Sequence, residues 1–101
     1  MHKMKISEIK KAGLRGIEVS GEIIDISEPR NVTLKSGQRS RVADAILRDE
    51  TDEVSLTLWD EQIDNVKVGD RVTIKNGYTT EFRGEIKLNV GRYGTLIKED
   101  M

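Results

Sequence analysis

From Val54 to Trp59 apolar and polar residues alternate one for one. Val54, Leu56 and Leu58 fall on one side of the pleat and Ser55, Thr57 and Trp59 on the other. A period of two is the signature of a half-buried β-strand and fits no helix. This run therefore dictates a sheet with one face against a core, and the rest of the chain must supply strands to pair with it.

Weaker versions of the same pattern recur. Ile17 to Ser27 is dominated by Ile17, Val19, Ile23, Ile24 and Ile26, but the alternation changes phase at Ile23-Ile24. This predicts a bulge or bend, with Gly21 easing the curvature and Pro29 ending the strand. Residues 29–38, with Ser36-Gly37 near their end, read as a loop. Arg41 to Arg48 is a second strand whose register Val42, Ala43, Ala45, Ile46 and Leu47 leave ambiguous. Asp49-Glu50-Thr51-Asp52 reads as a turn, since Asp side chains cap turns. Glu61 to Val66 can form a short helical turn with Ile63 and Val66 inward, and Val68-Gly69-Asp70 then turns the chain. Val72 and Ile74 point inward on the next strand, and Asn76-Gly77 breaks it. The last clear strand is Gly84 to Val90, with Ile86, Leu88 and Val90 opposite Glu85, Lys87 and Asn89; residues 92–97 close the structure. Met4 to Leu14 carries too little periodicity to assign.

Five short strands, a connector after the third, and no helix-period segment beyond ~12 residues predict an all-β chain. The pattern matches a five-stranded OB-fold (Greek-key) barrel with a short helical connector between strands 3 and 4, which hides its sheet edges by near closure. A six-stranded sandwich is the alternative. A chain of 101 residues holds one core. We expect an N-terminal segment over 1–15, partly ordered, a single barrel domain over 16–98, and a C-terminal end at 99–101.

Several chemistries are excluded by residue usage. There is no cysteine, and the one histidine is His2, so disulfides, thiolate nucleophiles and cysteine-zinc sites are out; no metal or cofactor is expected. No His-based triad or glycine-rich phosphate loop accompanies the serines and aspartates, which argues against an enzyme. No run of ~18 apolar residues can span a bilayer and no secretory signal is visible. The expectation is a cytoplasmic, nucleoid-associated protein, or a nuclear one in a eukaryote, with no membrane partner.

The net charge of −1 conceals a segregation. Residues 29–48 hold Arg30, Lys35, Arg39, Arg41 and Arg48 against Asp44. Residues 71–92 hold Arg71, Lys75, Arg83, Lys87 and Arg92 against Glu81 and Glu85. Residues 49–64 hold acids and no Lys or Arg. If the two basic segments share a face, phosphate binding follows; solvated surface charge is the bland reading.

The four aromatics, Trp59, Tyr78, Phe82 and Tyr93, avoid the evident core positions. Trp59 lies across the pleat from the apolar face of its strand, Tyr78 follows Asn76-Gly77, and Phe82 sits between Glu81 and Arg83 in a polar loop. Large exposed rings beside cations suit a ligand with flat faces and negative charge, which describes nucleobases on a phosphate backbone. The competing reading makes Trp59 a cap on the barrel end and Tyr78 and Phe82 staples of their own loop.

From about Ile6 to Leu96 the chain resembles the archaeal single-stranded DNA-binding OB-fold proteins and their eukaryotic relatives, related to replication protein A domains. The resemblance rests on Ile26-Ser27-Glu28-Pro29-Arg30, Asp49-Glu50-Thr51, Leu58-Trp59-Asp60, Val68-Gly69-Asp70, the run from Asn76 to Gly84, and Gly91-Arg92. It implies that Trp59, Tyr78 and Phe82 stack on successive bases, with the loop between the last two barrel strands carrying Tyr78 and Phe82. Asp52 departs from the family by replacing a turn glycine, and Asn89 takes a position that is aromatic in some relatives.

The expected activity is binding of single-stranded DNA with little sequence preference, in replication, recombination or repair. Arg41, Arg71, Lys75, Arg83, Lys87, Asn89 and Arg92 are the candidates for phosphate or polar contacts. If ~3–4 cations neutralise phosphates, log K against log salt should slope by roughly −2 to −3. RNA is the alternative ligand, since stacking accepts either sugar. A protein-interaction module of a replication or repair complex is the alternative from another class.

Overall fold

A computed structural model describes residues 2–99. In chain order its elements are β1 (His2–Lys3), a 3-10 turn (Ile6–Glu8), β2 (Ile17–Ile26), β3 (Arg30–Thr33), β4 (Arg39–Arg48), β5 (Glu53–Trp59), α1 (Glu61–Asn65), β6 (Arg71–Phe82) and β7 (Glu85–Lys98). Five of these close on one another in the cycle β2–β4–β5–β7–β6–β2, with β5 and β7 parallel and the other contacts antiparallel. This is the OB barrel, with α1 after its third strand. One continuous sheet closed on itself excludes the sandwich.

The interior is aliphatic. Val19, Ile23, Leu47, Leu56, Leu58, Val72, Ile74 and Leu88 are fully buried, and no aromatic ring joins the buried cluster. Each such side chain contributes about 1.5–3 kcal/mol relative to exposure. The phase change in β2 is a bulge, since its register against β4 shifts between Ile23 and Asp25. At Gly21 the strand bends from β6 toward β4 so closely that a Cβ would stand 2.7 Å from the Arg48 carbonyl oxygen. Glycine is required there by contact rather than by torsion.

Both barrel ends are plugged. Beside the β4–β5 turn, Ile6 and Ile9 of the N-terminal segment are buried, and at the far end of β5 Ile63 and Val66 fill the opening. The first plug is locked by Asp49. One of its carboxylate oxygens accepts the Ile6 N–H at 2.8 Å, and the other accepts the Thr51 N–H at 2.7 Å, the Thr51 hydroxyl at 2.6 Å and the Asp52 N–H at 3.1 Å. Partial burial opposes its charge, but these bonds outweigh it and hold the carboxyl at about 2 against an ordinary 3.8.

Two segments differ from the sequence expectation. Residues 29–38 are not a plain loop: β3 pairs with Arg39–Val42 across a turn in which the Leu34 N–H reaches the Gln38 carbonyl at 2.8 Å. All of β3 except Val32 is exposed, so no apolar alternation announces it. Asn76-Gly77 does not end a strand either. Asn76 adopts φ 57 as a bulge within β6, a torsion asparagine tolerates better than most residues. The extra residue reverses the phase. Val72 and Ile74 face inward before it and Gly77 and Thr79 after it, turning Tyr78, Thr80 and Phe82 outward. Phe82 is therefore the last residue of a strand, not part of a loop.

Candidate nucleic-acid interface

Cross-strand partners share a face, so the register maps the outer wall directly. One row crosses four strands as Asp44–Thr57–Asn89–Tyr78, a second runs Ile46–Ser55–Lys87–Thr80, and a third runs Arg30–Val42–Trp59. Phe82 pairs with Glu85 at the tip of the β6–β7 hairpin, in the same outward phase as Tyr78. Trp59, Tyr78, Phe82, Lys87 and Asn89 thus lie on one surface.

Trp59 is held by the chain reversal that follows it. Its N–H donates to Gln62 Oε1 at 3.0 Å. The next residue, Asp60, takes φ 49 and ψ −117, a conformation that non-glycine residues rarely adopt. Four bonds to β4 hold it there: its N–H donates to the Arg41 carbonyl at 3.0 Å, its carboxylate accepts the Arg41 N–H at 2.9 Å and the Ser40 hydroxyl at 3.1 Å, and its carbonyl accepts the Arg41 guanidinium at 3.2 Å. Phe82 is presented by a two-residue turn, Arg83-Gly84, in which both residues have positive φ, 53 and 81. That geometry matches the twist of the hairpin. The Arg83 guanidinium lies 5.1 Å from the Phe82 ring centroid, a cation–π distance.

Trp59 and Phe82 line one open cleft of about 260 Å³, floored by Val42 and Thr57, with Arg30, Asp44 and Lys87 at its sides. Asp44 binds both cations, Arg30 at 3.0 Å and Lys87 at 3.5 Å. Lys87 also meets Glu85 at 3.3 Å and the Ser55 hydroxyl at 3.3 Å, and its side chain is only 19% exposed. The cleft accordingly has two rings and a largely compensated field.

The other anticipated residues separate. Tyr78 lines a neighbouring cleft with Tyr93 and Arg15. Arg41 lies across the pleat from Val42 and is bound to α1, its guanidinium 2.7 Å from Asp64. This hydrogen bond lowers the Asp64 carboxyl below its usual value and raises the Arg41 guanidinium. Arg71 faces Glu99 at 3.5 Å and lines a third cleft with Lys3 and Asp49. Lys75 is exposed on β6 opposite Thr95, before the bulge. Asn89 is buried to 7% exposure and donates to the Thr80 hydroxyl at 3.1 Å and the Lys87 carbonyl at 3.3 Å. The Arg92 side chain lies outside the described residues. Arg30, outside the contacts expected from sequence, stands at the cleft because β3 pairs with β4.

The model of the family described as single-stranded DNA binding protein Ssb-like, OB fold, matches residues 17–98. This chain belongs to that family. As an Ssb-like domain it is 37% identical over 81 residues to the single-stranded DNA binding protein Ssb of Saccharolobus solfataricus, covering 80% of this chain and 54% of that protein. Against Replication factor A of Methanothermobacter thermautotrophicus it is 33% identical over 107 positions, covering all of this chain and 13% of the relative. The chain thus spans about half the length of one relative and a small part of the other. The OB domain of a Thermoplasma acidophilum protein superposes with a TM-score of 0.85 at 20% identity, covering 100% of this chain and 90% of that one. A chain of a replication protein A heterotrimer bound to single-stranded DNA gives 0.81 at 19%, covering 98% and 25%. At these identities the structures establish the fold. Among the described residues of this Ssb-like domain, no group of acidic or histidine side chains could hold a metal and no helix is long and apolar enough to cross a membrane.

Proposed function

We propose that this domain binds single-stranded DNA with little sequence preference, by stacking unpaired bases on Trp59 and Phe82 and gathering their phosphates on nearby cations. The observation that carries the reading is the shared cleft of those two rings on the outer wall. Phe82 is 59% exposed and contributes nothing to the barrel core. A ring with that exposure presents its face to a flat ligand. Every base has a π-face, so stacking tolerates sequence, at about 1–3 kcal/mol per base. The relatives named for single-stranded DNA binding support the same ligand, and the sequence likeness to Replication factor A supports a place in replication.

Charge plays the lesser part. Arg41 and Arg71 are paired with Asp64 and Glu99, and Asp44 offsets Arg30 and Lys87. The salt slope should therefore be shallow, about −1 to −2 rather than −2 to −3. Trp59 is the sole tryptophan, so its fluorescence during titration with oligothymidine reports contact at the cleft. Quenching that saturates, with the shallow slope, is the expected result. Emission unchanged at saturating oligomer would reject the reading, and preferential binding of matched oligouridine would move the ligand to RNA.

A further inference from the structure

Beside the Trp59–Phe82 cleft the outer wall carries a second opening, of about 330 Å³, bounded by Tyr78, Tyr93, Arg15 and Asn76. Its floor is glycine: Gly16, Gly77 and Gly91. An edge of the Tyr78 ring rests over Gly91, where a Cβ would come within 3.2 Å of it. The volume falls at the small end of ligand sites, which run about 300–1,000 Å³.

Tyr93 reaches this cleft through an irregularity in β7. Gly77 pairs with Val90 and Lys75 with Thr95, so residues 91–94 stand opposite Asn76 alone. The base of the excursion is tight. A Cβ at Gly94 would lie 2.9 Å from the Gly91 nitrogen and 3.0 Å from the carbonyl oxygens of Lys75 and Asn76, and the Asn76 side-chain amide donates to the Tyr93 carbonyl at 3.3 Å. Tyr93 is 81% exposed, yet it projects from a closely packed backbone.

Arg15 is anchored from the other side. Gly13 and Leu14 exchange backbone bonds with Thr79 at 2.9 and 3.0 Å, and the Thr79 hydroxyl donates to the Lys11 carbonyl at 2.8 Å and accepts the Leu14 N–H at 3.0 Å. These bonds extend β6 by a short edge and end one residue before Arg15, which forms no ion pair among the described residues. The two clefts are joined by the row in which Thr57, lining the first, neighbours Asn89, and Asn89 neighbours Tyr78, lining the second.

We infer that Tyr93 and Arg15 extend the base path past Tyr78, with Tyr93 stacking on an unpaired nucleobase and Arg15 neutralising its phosphate. The inference rests on the DNA-binding reading above and adds to it a residue of β7 and one of the N-terminal segment. Two rings converge on an opening with a floor no side chain obstructs, and an uncompensated cation stands at its rim. That is the chemistry of a nucleotide, an aromatic plane with an anion attached.

The test uses a local probe in each cleft. The chain is labelled with 3-fluorotyrosine, its two tyrosine signals are assigned with Tyr93→Phe, and it is titrated with oligothymidine of about 12 nucleotides. The Tyr93 fluorine resonance should shift in step with quenching of Trp59. Tyr93→Ala should weaken binding about tenfold, Tyr93→Phe should bind as the parent does, and Arg15→Gln should reduce the salt slope by about 0.7. Trp59 quenching with an unmoved Tyr93 signal, or full affinity in Tyr93→Ala, would overturn this inference and leave the first cleft standing. If neither probe responds, the DNA-binding reading itself falls and the second site with it.

Discussion

The β3–β5 wall and the tip of the β6–β7 hairpin meet across one cleft, yet they treat charge in opposite ways. On the wall, Arg30 pairs with Asp44 at 3.0 Å and Arg48 with Glu53 at 4.0 Å. At the hairpin tip Arg83 has no carboxylate partner among the described residues and lies over the Phe82 ring instead. Paired cations add little to the outward field, because each is cancelled nearby. The wall is thus suited to recognise flat surfaces, and the hairpin to supply both a ring and an unpaired charge. This contrast predicts that affinity follows the rings first and the cations second.

The largest effect should come from the rings. Phe82→Ala and Trp59→Ala should each weaken oligothymidine binding by about fivefold to 150-fold, equivalent to about 1–3 kcal/mol. Their combined loss should fall short of the sum, since both act on one cleft. Anisotropy of a labelled oligomer measures this without relying on the tryptophan. Phe82→Ala should leave thermal stability nearly unchanged, because the ring is mostly exposed. A loss of stability matching the loss of binding would mean that Phe82 staples the hairpin and that the wall works without it.

How far these parts were legible in advance follows from burial. The Val54–Trp59 strand was plain because its inner residues are large and its outer ones are small and polar apart from Trp59. The β4 register was not, because both faces of that strand are covered: Ala43, Ala45 and Leu47 lie in the core, while Val42 is buried beneath Trp59 and Phe82. β3 escaped because pairing of backbone groups leaves no trace in an exposed sequence. Asn76-Gly77 has the composition of a hairpin turn, yet the same tolerance of positive φ serves here as a bulge inside a strand. The rings of Trp59 and Phe82 were recognisable as residues too large for the polar phase they occupy. Tyr93 gave no such signal, since its place depends on an excursion that only the pairing reveals.

An intermediate effect should come from the wall's own compensation. Asp44 accepts from Arg30 and Lys87 together, so Asp44→Asn removes one negative charge while keeping an acceptor near both. If those cations reach phosphates once released, affinity at low salt should rise several-fold and the salt slope should steepen by about 0.7 per added contact. A small loss of stability should accompany it, because two cations then face each other without an anion between them. Unchanged affinity and slope would show that Arg30 and Lys87 remain directed at the wall, and that the contrast between wall and hairpin is one of geometry as well as charge.

The smallest effect should come from Arg83. Its backbone φ of 53 precedes Gly84 at 81, the turn for which Asn-Gly is the preferred sequence. Arg83→Asn therefore keeps or slightly strengthens the hairpin while removing its charge. Binding should weaken only about two- to threefold, with the salt slope shallower by about 0.7, the share of one phosphate on a single strand. The guanidinium over Phe82 offers a second role, in which it fixes the ring in place for stacking. The two roles separate in the salt series. A phosphate contact loses its worth as salt rises, so parent and variant should converge in high salt. Held orientation of the ring is less sensitive to salt, so a gap that persists there, approaching the Phe82→Ala effect, would assign Arg83 to positioning the aromatic rather than to the DNA backbone.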